Sequence, residues 1–305
     1  MTKPKVPRPD ILLRGASGRR AGMRAWVALL GVAAVLLMSR SAHAEGPVLP
    51  TWELGIGGTA FVQPDYPGSD EYRLRGLGFP WFIYRGERVR LTREAIQGRI
   101  FRTDRVRLDL SVYGQLPVDS DKNDRRDGMP DLDWRAQVGP NLRILLGQSD
   151  DGLDTLRLDL PVRAVFAVDL DDFSYQGYTS SPKLRYRMRR PPWRFETQFG
   201  LEFTDRDYND YIYAVDERFA TPDRPAYDAD GGYAGTRVAA GVSRYWGDFY
   251  LGLFVNYTNL EGAVFHDSPL VGSRHAVTGG FALAWIPLRS ASVVPVGRRA
   301  DDADD

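Results

Sequence analysis

The chain has 305 residues, with 40 basic and 40 acidic side chains and no cysteine. The first 44 residues hold eight Lys/Arg and one acid, Asp10, so the remainder carries 32 basic against 39 acidic residues, a net of −7. That balance excludes a nucleic-acid partner of the basic-patch kind. The missing cysteine excludes disulfides, thiol chemistry and a lipid-modified cysteine.

Trp26–Met38 (WVALLGVAAVLLM) follows Arg24 and precedes Ala42-His43-Ala44. A charged start, an apolar middle and an A-x-A end are the parts of a secretory leader, assigned here to residues 1–44, with Met23 an alternative start. The apolar run is too short to span a bilayer as a permanent helix. No later stretch reaches 18 consecutive apolar residues. A membrane form would therefore have to cross with strands closed into a barrel.

From Trp52 onward the pattern has a period of two. Trp52–Val62 sets Trp52, Leu54, Ile56, Ala60 and Val62 against Glu53, Gly55, Gly57 and Thr59. Arg73–Tyr84 follows, then shorter pieces near 88–91 and 96–101. The clearest segment is Arg105–Leu116 (RVRLDLSVYGQL), where Val106, Leu108, Leu110 and Val112 alternate with Arg107, Asp109, Ser111 and Tyr113. Successive side chains of an extended chain point to opposite faces, so this is one apolar wall and one polar wall. The same alternation recurs over 132–144, 156–166, 183–188, 193–203, 238–245, 249–259 and 276–285. The total is about twelve strands, many near the roughly 9–11 residues that a tilted strand needs to cross a bilayer. No helical period competes with them.

Three patterns separate a membrane barrel from a soluble sandwich. Odd-numbered connections are mostly long and polar (63–71, 117–131, 169–182, 204–233, 260–274), and even-numbered ones mostly short (85–87, 102–104, 190–192, 246–248). Outer-membrane barrels sort their loops this way, and an even strand number returns both termini to the periplasmic side. Trp52, Trp134, Trp193 and Trp285 stand at strand ends on the apolar face, as an interfacial aromatic girdle does. The polar face carries too many charges for a dry core. Arg107, Asp109, Arg157, Asp159, Arg163, Lys183, Arg185, Arg187, Arg194 and Glu196 are the candidate lining of a wet lumen. Ala276, Gly280, Ala282 and Ala284 on the same face of the last strand leave room along one side, enough for an inserted loop.

Three short motifs carry a family resemblance. Gln63-Pro64-Asp65-Tyr66-Pro67-Gly68-Ser69 follows the first strand, Tyr208-Asn209-Asp210-Tyr211-Ile212-Tyr213-Ala214-Val215 opens the longest loop, and His266-Asp267-Ser268-Pro269-Leu270-Val271 precedes the last strand. With the Gly-rich first strand and the closing Gly-Gly-Phe-Ala-Leu-Ala-Trp, the chain resembles the MipA/OmpV family of outer-membrane proteins over Trp52–Leu288. The resemblance implies an all-β antiparallel transmembrane barrel over 45–288, located in a Gram-negative outer membrane among lipid and lipopolysaccharide. It also implies a non-enzymatic scaffold that joins a murein transglycosylase to a murein synthase, with no cofactor. Other members are associated with adhesion and with osmotic or antibiotic response. Barrels of this kind usually finish on an aromatic residue, whereas here Trp285 is followed by Pro287 and a tail. Pro287 is expected to stop the ladder, leaving residues 289–305 as an acidic, disordered tail.

Sites of chemistry are few. His266-Asp267-Ser268 has the residue types of a hydrolytic relay, but contiguous residues point apart, and Asp267-Ser268-Pro269 reads better as a turn. Asp65-Tyr66-Pro67-Gly68 is a turn on the same grounds. Asp119–Asp124 begins like a calcium loop, yet Asp124 stands where Gly makes the sharp bend and Pro130 where the bidentate Glu belongs. Tyr208, Tyr211, Tyr213 and Tyr227 either form a binding surface or fold the longest loop into the barrel mouth. The rival reading to a scaffold is a narrow channel for small, anionic solutes. A soluble periplasmic binding protein is the third.

Overall fold

The computed structural model describes residues 48–85, 89–91, 96–169 and 173–295, so the leader assigned to 1–44 and the tail from 296 lie outside the described residues. Alternation becomes extended chain almost throughout. In order the strands are β1 (Val48–Pro50), β2 (Trp52–Pro64), β3 (Tyr72–Arg85), β4 (Val89–Leu91), β5 (Ile96–Arg102), β6 (Val106–Gln115), β7 (Trp134–Gln148) and β8 (Asp154–Val168). They continue with β9 (Phe173–Ser180), β10 (Lys183–Arg190), β11 (Trp193–Thr204), β12 (Gly232–Trp246), β13 (Phe249–Asn259), β14 (His275–Arg289) and β15 (Val293–Pro295). Among the described residues one α-helix, α1 (Arg206–Tyr213), lies between β11 and β12.

Apart from β9 and β10, which do not pair with each other, strands β2 to β14 pair antiparallel with their sequence neighbours, and β14 returns to β2, so the sheet closes on itself. Both β9 and β10 pair with β8, at Val162–Val168 and Asp154–Asp159 respectively. They therefore form one crossing interrupted at Ser181-Pro182, and the wall has twelve strands. β1 and β15 pair with each other beside the closing seam, at the end where the short turns lie.

Three expectations are corrected, the first two by bulges. The expectation is a long loop over 169–182, but Phe173–Ser180 is strand β9. Gly177, at φ +105°, sits where β9 steps out of register against Ala164 and Phe166 of β8. The extra residue shifts the phase, so Tyr175 and Tyr178 both face outward although three positions apart. Pro287 likewise does not end the ladder. It occupies a bulge between Trp285 and Leu288, where a missing N–H costs nothing, and pairing resumes at Leu288–Leu54 and Arg289–Glu53. Residues 293–295, placed in the tail, are strand β15.

The outward face is apolar and banded. At the short-turn end Trp52, Phe101, Trp246, Phe249 and Trp285 are exposed, and at the other end Tyr72, Trp134, Phe173 and Tyr257. Aliphatic side chains such as Ile56, Leu74, Leu253 and Val255 fill the band between them. Trp193 is half-buried, with the Arg244 guanidinium 5.0 Å above its ring. An aliphatic belt between aromatic rings matches the acyl core and the two interfaces of a bilayer. Leu253→Arg, at mid-height of β13, should therefore cost about 2–4 kcal/mol of stability in lipid vesicles. Chemical denaturation of the vesicle-inserted protein measures this; a null effect would mean that Leu253 faces no lipid.

Candidate functional site

The inward faces divide the interior into two unlike halves. One half, from β6 through β7, β8 and β10 to β11, is ionic. Arg107, Asp109, Arg157, Asp159, Arg185 and Arg187 are buried, whereas Arg163, Lys183, Arg194 and Glu196 border interior cavities. Adjacent strands place opposite signs together. Asp109 takes Arg107 at 2.7 Å and Arg143 at 3.3 Å, Asp159 takes Arg157 at 2.6 Å and Arg185 at 3.5 Å, and Glu196 takes Arg187 at 2.6 Å and Arg185 at 3.0 Å. Arg163 turns its Nε to the Ser111 hydroxyl at 2.9 Å. Each acid thus serves two arginines, and the wall is a zipper rather than a set of separate pairs.

The other half is aromatic. Trp81 and Tyr250 pack with ring centroids 4.9 Å apart and Tyr245 5.1 Å from Tyr250, filling the space beside Ala282 and Ala284. Ala282 and Ala284 of the last strand therefore accommodate rings, not an inserted loop. Gly252, on the neighbouring β13, makes room for the same rings: a Cβ there would stand 2.7 Å from the Tyr250 hydroxyl. Nearby, the Trp81 indole N–H and the Arg85 guanidinium both donate to Glu53, which is buried on β2. Neither Glu53, Arg85, Arg143 nor the Glu202–Arg237 pair at 3.7 Å figured among the candidate lining. Glu53 and Arg143 already sat on the polar side of the alternation, which was the available signal.

The long-loop end is closed by a cap. Residues 65–71, 116–133, 205–231 and 260–274 meet over the mouth and share one apolar core that includes Tyr66, Val118, Leu132, Ile212, Tyr213, Phe265 and Leu270. Asp205 caps α1, its carboxylate accepting the Tyr208 N–H at 3.1 Å. Tyr208, Ile212 and Tyr213 then fall on the buried face at helical spacing. The tyrosines of the longest loop thus fold it into the mouth: Tyr208 and Tyr213 are buried, and Tyr211 and Tyr227 pack partly buried against them. Tyr213 stacks on Phe265 at 3.8 Å and donates to the Pro67 carbonyl at 2.8 Å.

The two motif turns are parts of this closure. Tyr66 donates its hydroxyl to the Leu270 carbonyl at 2.8 Å. Asp65 holds Arg73 at 2.6 Å and accepts from Asn123 at 3.1 Å, while Gly68, at φ +102°, completes its turn and accepts the N–H groups of Gly272 and Ser273. Ser268 gives its hydroxyl to the Tyr213 carbonyl at 2.8 Å, whereas the His266 ring meets the Ala263 carbonyl at 2.6 Å. The serine faces the cap interior, away from any relay with His266. Pro269 contributes its carbonyl to Arg125, and Asp267 lies within 3.2 Å of His266 at the surface. In the calcium-like stretch, Asp119 pairs with Lys122 at 2.5 Å and Asn123 turns inward to Asp65 and Ser69.

Burial raises the pKa of the cap tyrosines: Tyr66, Tyr208 and Tyr213 all lie above the ordinary value of 10.0, and Tyr211 is pushed up to about 12. A phenol held protonated by folding leaves stability unchanged below pH 10 and removes it as pH rises from 10 towards the folded-state value. The cap should accordingly loosen above pH 10 while the neutral-pH form stays closed. Proteolysis within 205–231 followed against pH checks this, and cleavage that does not rise above pH 10 would contradict it.

Under the cap lies a chamber of about 440 Å³, and a second cavity of about 520 Å³ extends from it past Arg187, Arg194 and Trp81. The two share Gln198, Ala239 and Asn256 as lining.

A closed antiparallel sheet with an apolar, aromatic-banded outside and an ionic inside defines a transmembrane β-barrel of the outer-membrane type. The chain belongs to the MipA family: the family described as "MltA-interacting protein MipA" matches residues 56–286. No curated protein sequence matches it. Among solved structures it is similar to a "Bacterial polysaccharide outer membrane secretin" at 11% identity and TM-score 0.38, covering 79% of this chain and 99% of that one. A FadL homologue from Pseudomonas aeruginosa follows at 10% identity and TM-score 0.33, covering 81% and 74%. Outer membrane phospholipase A from Escherichia coli matches at 9% identity and TM-score 0.29, covering 78% and 94%.

Proposed function

We propose that this barrel is a non-enzymatic scaffold of the outer membrane, docking a murein-remodelling enzyme at its short-turn, periplasmic end. Membership of a family described as interacting with MltA carries this reading. Lipid and lipopolysaccharide would contact the aromatic-banded wall, and the capped end would face outward. The short-turn end gathers β1, β15 and the preformed turn between β7 and β8. In that turn the Asp151 carboxylate accepts from the Ser149 hydroxyl and the Leu153 N–H, which holds its pKa below the ordinary carboxylate value. The turn is therefore an ordered, acidic, exposed knob suited to a basic surface on the partner.

Replacing 149–153 with a minimal turn, or deleting 296–305, should reduce recovery of a murein transglycosylase on the immobilised protein to background. Undiminished recovery by both variants would reject the docking end. A narrow anion channel is the second reading, favoured by the arginine-rich wall and the adjoining cavities. It requires the cap to move.

A further inference from the structure

The chamber beneath the cap is unequal in charge. Of the described residues that border it, Arg143, Arg163, Lys183, Arg185 and Arg237 are cationic, and Asp159 and Glu202 anionic. Both acids are already engaged, Asp159 by Arg157 and Arg185, and Glu202 by the Ser181 hydroxyl at 2.6 Å and Arg237 at 3.7 Å. The Arg163 Nε is turned to a neutral hydroxyl. Among the described residues the Lys183 ammonium has no hydrogen bond and no ion pair within 4 Å.

Enclosed charge that its surroundings do not balance is unfavourable, and an anion of opposite sign offsets it. Guanidinium forks and a lysine ammonium are the side chains that grip oxyanions, the first in a plane and the second as a point charge. Gln137, Asn141 and Gln198 add neutral amides to the same wall. A volume of about 440 Å³ is larger than one oxyanion and suits one joined to a small organic body.

We propose that this chamber is a binding site for a phosphate-bearing anion, held chiefly by Lys183 and Arg163, with Arg143 and Arg185 behind them. The proposal is independent of the scaffold reading, since it concerns the interior and not the docking end. The anion is either free in solution or the headgroup of a lipid, and one experiment separates the two.

The full chain is placed in bilayer discs of pure phosphatidylcholine and titrated calorimetrically with inorganic phosphate. Saturable binding that weakens with added sodium chloride is expected, as is an affinity about tenfold lower for Lys183→Gln and for Arg163→Gln. Lys183→Arg, which keeps the charge, should recover the binding, and Arg218→Gln on the cap surface should not alter it. Discs that also contain phosphatidic acid supply the second arm. Apparent phosphate affinity that falls there assigns the site to a headgroup, and unchanged affinity assigns it to a free anion. Absence of saturable binding in both kinds of disc, or equal affinity in wild type and both glutamine variants, overturns the proposal.

Discussion

Tyr213→Ala should open the mouth of a barrel that otherwise stays folded. The ring is 2% exposed, stacks on Phe265, and its hydroxyl ties α1 to the loop after β2 through the Pro67 carbonyl. Losing a buried aromatic of this size costs about 3–5 kcal/mol, all of it in the contacts of four loops. The wall shares none of that core except Val165 and Ala234, so its ladders should survive. The expected readouts are unchanged heat-modifiable gel mobility, faster proteolysis within 205–231, and discrete conductance steps in planar bilayers where the wild type is silent. If the variant is as protected and as silent as the parent, the cap is not held by this ring. A conducting wild type would instead favour the channel reading.

Asp159→Asn should weaken the wall itself. Asp159 is 1% exposed and is shared by Arg157 and Arg185. The amide keeps the shape but removes the charge that both guanidinium groups face. Removing one member of a buried ionic set costs about 3–5 kcal/mol, because the remaining charges lose compensation. Burial also lets little salt in, so the loss should persist at high ionic strength. Urea denaturation in detergent should show a clear drop in midpoint. Asp119→Asn, which breaks the exposed pair with Lys122, should leave that midpoint where it was. Equal behaviour of the two variants would mean that the interior is hydrated enough to screen its charges.

The wall was largely legible in the sequence because its two faces meet opposite solvents. A period of two survives wherever register is regular, as in β6, where Arg107, Asp109 and Ser111 are buried and Leu110 and Val112 exposed. It failed where one extra residue changed the phase, at Gly177 and at Pro287. Nothing in the local pattern announces a bulge whose cause is the neighbouring strand. The cap was legible only in part. Its helix has a good N-cap in Asp205 and apolar residues at helical spacing, yet eight residues between polar loops are too few for a confident period. That Tyr66 meets Leu270, 204 positions away, is a property of barrel closure and could not be read from either segment. The partners of the lining charges were invisible for the same reason, since they depend on which strands become neighbours.

The seal over the mouth draws on the first connection and the last, and its Tyr66–Leu270 bond lies beside the seam where β14 meets β2. A nascent chain that lacks its final hairpin would therefore have neither a complete circumference nor a stopper. Closing the wall and stoppering the mouth are thus completed together, by the last stretch of chain to be made.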